Sequence, residues 1–175
     1  TLRDQRVYSK DLLIMNMDLN KINIPQEILD RINVAIEAKE SNHINCHKLV
    51  LFLLNKISYE ELVSNPQNGD FTFGIRASKI SDREFTPVKN KEELQSLAEK
   101  ECIEEKIYIG QILDAETGEM AHSFIVAKSS DMGEFICFDK QGFKFPFSTY
   151  KIEELFKFEN YHNQKWRFVE LSEIN

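Results

Sequence analysis

Glycine and proline are scarce in this chain, six and four residues among 175, which leaves no material for long flexible linkers or a low-complexity tract. Cysteine is rarer still, at positions 46, 102 and 137. An odd number at such wide spacing is not a disulfide framework. Positive charge is outweighed, with 22 Lys and Arg against 29 Asp and Glu and a net charge of −7. That balance disfavours nucleic acid and anionic membrane surfaces as partners. No apolar run approaches the ~20 residues that span a bilayer. The chain starts at Thr1 rather than Met, which fits a trimmed or processed product, exported ones included. The lack of a signal peptide therefore leaves the compartment open between cytoplasm and secretion.

What is present is a core. With 42% hydrophobic residues, thirteen Phe and five Tyr, the expectation is one soluble domain over 1–175. It divides into a helical N-terminal part over 1–44, a central part over 45–150 and a C-terminal helix and strand over 151–175. Residues 1–24 carry no usable motif. Pro25 opens a helical pattern with Ile28, Leu29, Ile32, Ala35 and Ile36 on one side, and residues 39–45 form a polar loop. Ser58-Tyr59-Glu60-Glu61 has capping-box spacing, and Asn68-Gly69 marks a turn. Residues 71–77 alternate like a strand, 78–90 read as loop and 91–101 as a charged amphipathic helix. Strands follow at 106–113, 121–128, 134–139, 143–149 and 165–171, with a short helix at 152–156. Turn signals at Glu116-Thr117-Gly118, Ser130-Asp131-Met132-Gly133 and Lys140-Gln141-Gly142 are short, so neighbours pair antiparallel. The predicted class is α+β, with helices packed on an antiparallel sheet of about five strands.

The stretch Asn45-Cys46-His47-Lys48-Leu49-Val50-Leu51-Phe52-Leu53-Leu54 carries the chemistry. Asn45 is a good N-cap, so Cys46 falls in the first turn of a helix apolar enough to lie inside the domain. A thiol attacks as thiolate, and the positive end of a helix lowers its pKa from ~8.5. Backbone N–H groups there can also hold an oxyanion. The competing reading is a small buried hydrophobe, the commonest fate of a free cysteine.

Two distant residues supply partners. His122 heads the strand His122-Ser123-Phe124-Ile125-Val126, and Asp139 ends the next. A hairpin turning between Ser130 and Asp131 places them directly opposite, with Cβ atoms ~4.5–5.5 Å apart. A carboxylate so placed fixes the histidine tautomer while the other ring nitrogen activates a nucleophile. Both strand faces are apolar, so this register is not pinned by pattern, and a slip by one residue would turn Asp139 away. His43, Cys46 and His47 offer three metal ligands, but a structural site takes four and no matching pair follows. No metal or other cofactor is expected. Cys102, next to Glu101 and Glu104, is in an acidic setting that disfavours thiolate. Cys137 and Trp166 read as core, and His162 as a surface loop residue.

Asn45-Cys46-His47-Lys48-Leu49-Val50 resembles the NlpC-type cysteine peptidases, whose motif is Asp or Asn, Cys, two residues, then Leu-Val. Gly110-Gln111-Ile112-Leu113 is similar to the glycine-bearing strand that precedes the histidine strand there, and Asp139 to the polar third residue. The likeness covers about residues 45–145. It implies a papain-like fold with Cys46 as nucleophile, His122 as base and Asp139 as orienting residue. Three departures stand: His47-Lys48 replaces a small pair, the cysteine-to-histidine separation is long, and the third residue is often histidine. The Cys-His-Asp order also resembles transglutaminases and arylamine acetyltransferases. The resulting expectation is a cysteine hydrolase cleaving a peptide or isopeptide-like amide. Its oxyanion donors would be the Cys46 N–H and Asn45 or Asn42, and its partner a peptide or protein substrate. The alternatives are an acyltransferase or deamidase with the same triad, and a non-catalytic protein-binding domain on the same scaffold.

Overall fold

A computed structural model gives the structure of residues 24–66, 70–104, 106–128 and 133–175. The expected helical character ahead of residue 24 lies outside the described residues, as do the Asn68-Gly69 turn and Ser130, Asp131 and Met132. The first helix, α1 (Gln26–Ile36), buries Ile28, Ile32, Ala35 and Ile36 on one stripe behind Pro25. Every residue of α2 (Cys46–Leu53) is buried. Its cap is Asn45, whose side-chain oxygen accepts from the Lys48 N–H at 2.9 Å. Lys48 itself tolerates burial because its ammonium donates to the carbonyls of His43 and Ser64, at 3.0 and 2.8 Å. The capping box forms at α3 (Tyr59–Leu62), where Ser58 and Glu61 bond reciprocally.

The stretch 71–77, expected as a strand, is instead within a helix, α4 (Asp70–Ser78). Alternation there was fortuitous: Ile75 is exposed while Ala77 is buried. Tertiary contacts hold the helix in place. Arg76 bonds Glu61 at 3.0 Å and the Lys56 carbonyl at 2.8 Å, and the Ala77 carbonyl at the helix end accepts from the Gln111 amide at 2.8 Å as well as from the Ile80 N–H at 3.4 Å. Gly74 is interior to α4, and a Cβ there would meet only ordinary contacts, the nearest 3.6 Å away. Gly74→Ala is expected to stabilise the fold by about 0.5–1 kcal/mol, raising Tm by about 1–4 °C in a thermal melt.

The charged helix α5 (Lys91–Glu101) begins at the Asn90 cap and buries Leu94, Leu97 and Ala98. Among the described residues the strands are β1 (Thr86–Val88), β2 (Ile107–Leu113), β3 (Met120–Lys128), β4 (Phe135–Lys140), β5 (Phe147–Lys151) and β6 (Gln164–Glu170). They form a six-stranded sheet in the order β1-β6-β2-β3-β4-β5, with every pairing antiparallel. The count of about five is thus corrected to six. The extra strand lies in the stretch read as loop, because Pro87 masks a strand signal yet is tolerated on a sheet edge. The strand expected at 143–149 starts at Phe147, and the short helix after it is a 3-10 helix over Ile152–Lys157.

Both faces of the sheet are covered. Ile107, Ile109, Ile125, Ala127, Phe138 and Val169 belong to one apolar cluster with α1, α2 and Leu62 of α3. Tyr108, Phe124, Val126, Phe135, Trp166 and Phe168 belong to another, with α5 and the 3-10 helix. Among the described residues no helix is long and apolar enough to cross a membrane.

Candidate active site

Pairing of β3 with β4 runs from Lys128↔Phe135 to Ile125↔Phe138, although β3 begins at Met120 and β4 continues to Lys140. Beyond Ile125 the two strands are no longer partners, and side chains from both meet across the opening. The expected register required Ile125 opposite Ile136; Ile125 instead faces Phe138, so β4 is displaced by two residues. A shift of two preserves the face on which each side chain stands. His122 and Asp139 become diagonal rather than direct neighbours and still bond, Nε2 to Oδ2, at 2.5 Å.

Asp139 Oδ2 is a shared acceptor. Gln141 Nε2 donates to it at 2.9 Å, and the Tyr150 hydroxyl makes a short bond to the same oxygen. Burial, then the nearby Cys137 and Asp139, hold the Tyr150 phenol far above its ordinary range, so it stays a neutral donor. The His122 ring is stacked between Phe124 and Tyr161, with centroids at 5.5 and 5.6 Å. Phe124 in turn occupies the space above Gly110, its partner on β2. A Cβ on Gly110 would stand 2.3 Å from the Phe124 ring, so the missing side chain is what lets the ring lie flat and support His122.

With Nε2 held by Asp139, Nδ1 is the ring nitrogen left over; it is buried and has no hydrogen-bond partner among the described residues. Cys46 stands at the first position of α2, 6% exposed. Burial alone would raise its pKa, but the neighbouring His47 and then His122 rings bring the thiol well below its ordinary value. His122 responds in the opposite sense. Burial works to lower it, while the charge on Cys46 and the bond to Asp139 push it up to about 9. Both shifts favour the charged forms, thiolate at Cys46 and imidazolium at His122. The other two cysteines are held as thiols, both pushed far up chiefly by burial.

The two asparagines considered as oxyanion donors have other settings. Asn45 uses its side-chain oxygen to cap α2, and Asn42 sits exposed on a 3-10 turn over Ser41–His43. His43 bonds the Val63 carbonyl at 2.8 Å, away from any ligand cluster. Among the described residues no group of three or more His, Cys, Asp and Glu side chains is placed to hold a metal.

The sequence reading missed His47 as a site residue. Its Nδ1 lies 3.0 Å from Ser123 Oγ on β3. Ser123 also accepts from Gln111 Nε2 at 3.2 Å, and Gln111 Oε1 accepts from Arg167 at 2.9 and 2.6 Å. All three supporting residues are buried. The available signal was three polar residues, Gln111, Ser123 and Arg167, at interior positions of otherwise apolar strands. His47 also lines a cavity of about 490 Å³ between α4 and the β2–β3 turn, with Gly74, Ile75, Glu119 and Met120 among its walls. No protein family, curated protein or solved structure matches this chain.

Proposed function

We propose that this chain is a cysteine hydrolase of papain-like architecture, resembling the NlpC-type peptidases, that cleaves a peptide or isopeptide-like amide. The observation that carries the reading is the bond from the buried Asp139 carboxylate to one ring nitrogen of His122, the other ring nitrogen being buried and unpartnered, beside the electrostatic coupling of that ring to a Cys46 thiol whose pKa is depressed.

In this reading Cys46 Sγ, already a thiolate, attacks the substrate carbonyl, and its own N–H at the start of α2 contributes to holding the oxyanion. His122 delivers its Nδ1 proton to the departing amine, then takes a proton from water as that water attacks the thioester. Asp139 keeps the ring in orientation and balances its charge. Acyl transfer to an amine, or deamidation, uses the same groups. The near-complete burial of Cys46 favours a transfer variant to the extent that it keeps water from the thioester.

The test is competitive labelling with iodoacetamide across pH. Cys46 is expected to react ahead of Cys102 and Cys137, with an apparent pKa well under the ~8.5 of a free thiol, and peptide mass mapping reads the site. Labelling of Cys46 no faster than of Cys102 would instead identify a non-catalytic binding domain.

A further inference from the structure

We infer that His47 supplies the second oxyanion donor of this site, through Nε2–H, and that the cavity it lines receives the acyl group; this rests on the cysteine-hydrolase reading above. Cys46, His122 and Asp139 are not among the residues that wall the cavity, whereas His47, the next residue after the nucleophile, is. It is the side chain that joins the reacting sulfur to an open space large enough for a substrate.

The direction of its proton follows from the chain of bonds behind it. Arginine only donates, so the Gln111 oxygen must face Arg167. The Gln111 nitrogen then faces the Ala77 carbonyl at 2.8 Å and Ser123 Oγ at 3.2 Å. Ser123 oxygen accepts from Gln111, and in the inferred arrangement it gives its own hydroxyl proton to His47 Nδ1 at 3.0 Å. The remaining ring proton of neutral His47 is therefore on Nε2. That edge of the ring faces Gly74, where a Cβ would stand 3.8 Å from Nε2 and 3.6 Å from Cδ2.

The step balances without an added reactant. The Cys46 sulfur forms a bond to the carbonyl carbon, and the C=O π pair moves onto oxygen. That oxygen is held by the Cys46 N–H and His47 Nε2–H. Collapse restores the C=O bond and expels the leaving group, which in an amide takes the proton from His122. His47 ends as it began. Arg167, Gln111 and Ser123 are positioning residues.

Two reactions of the same sulfur separate this role from a simple effect on the thiol. Alkylation by iodoacetamide passes through no oxyanion, while acylation by p-nitrophenyl acetate does. Rates are compared at the pH plateau of each variant, where the thiol is fully ionised. His47→Leu is expected to lower the acylation-to-alkylation ratio by about 10²–10³-fold, the size of a lost oxyanion donor. His47→Gln, whose amide nitrogen can replace Nε2–H, should restore most of it. Ser123→Ala keeps the donor but frees the ring and should lower the ratio by a smaller factor, which keeps the test decisive if His47→Leu fails to fold. An unchanged plateau ratio in His47→Leu or Ser123→Ala, with only the alkylation pKa displaced, overturns the oxyanion role alone. Absence of any acyl-Cys46 in the wild-type protein overturns the hydrolase reading and this inference together.

Discussion

His122→Ala is expected to accept an acetyl group from p-nitrophenyl acetate and then stall, its thioester hydrolysed about 10²–10⁴-fold more slowly than in the wild type. p-Nitrophenolate leaves without needing a proton, so acylation asks only for a thiolate and a held oxyanion. Hydrolysis of the thioester asks for a base to activate water, and in the proposed mechanism that base is the His122 ring bonded to Asp139. The thiolate itself survives the substitution in part, because the positive end of α2 stays beside Cys46. Alkylation by iodoacetamide should therefore fall far less than thioester hydrolysis. Intact-mass measurement during turnover reads the accumulated acyl-enzyme directly, and unimpaired turnover in His122→Ala would sink the assignment.

The same pair sets a pH window. Cys46 is depressed, so the thiolate is present above a pKa well below the ordinary thiol value and is lost as pH falls through it. His122 is raised, so its proton is present at neutral pH and is lost as pH climbs through about 9. Cleavage of an anilide, whose leaving amine needs that proton, should rise and then decline with a descending limb near 9. Acylation by the activated ester should rise once and stay level. The two limbs belong to the coupled pair rather than to one residue.

Gly110→Ala should both destabilise the protein and disable it. The added methyl would stand 2.3 Å from Cε2 and Cζ of Phe124 and 2.9 Å from Cδ2. Phe124 is fully buried, with Trp166 and Phe168 edge-on at 6.2 and 6.3 Å and His122 stacked on it at 5.5 Å. The ring cannot yield without displacing His122, the base of the proposed mechanism. Overpacking of this kind costs about 1–3 kcal/mol, or about 2–12 °C in Tm for a chain of this size. Adding Phe124→Leu makes room and should recover part of the melting temperature while leaving p-nitrophenyl acetate turnover low, since the stacked support is gone. Calorimetry and initial rates on the single and double variants decide it, and an unchanged Tm in Gly110→Ala would refute the packing argument.

The difference between Gly110 and Gly74 illustrates how far the primary chain could be read. Gly110 entered only through the likeness to a glycine-bearing strand; that its missing side chain makes room for a neighbour, and that this neighbour is Phe124, needed the β2–β3 register. Gly74 sat in an alternating run that suggested a strand, and only packing against α2, with Arg76 reaching Glu61 and Lys56, made the run a helix. The Phe138–Asp139 end of β4 shows a different limit. Two apolar faces leave pairing free to slide, and the observed displacement of two residues could not be chosen from pattern. It did no harm to the site because an even slip keeps every side chain on its face.

What the amino-acid sequence determined by itself is local: the cap at Asn45, the thiol in the first turn of an all-buried helix, the capping box at Ser58, and a histidine and an aspartate at facing ends of consecutive strands. Each depends on neighbours within a few residues or on the two-residue period of a strand, and such short-range preferences are written in order along the chain. Tertiary structure alone decided the company those groups keep. His47 meets Ser123 across 76 positions and, through Gln111, the buried Arg167. No periodicity links these residues. Burial brings them together, because a polar group taken out of water must find its hydrogen bond wherever the fold provides one.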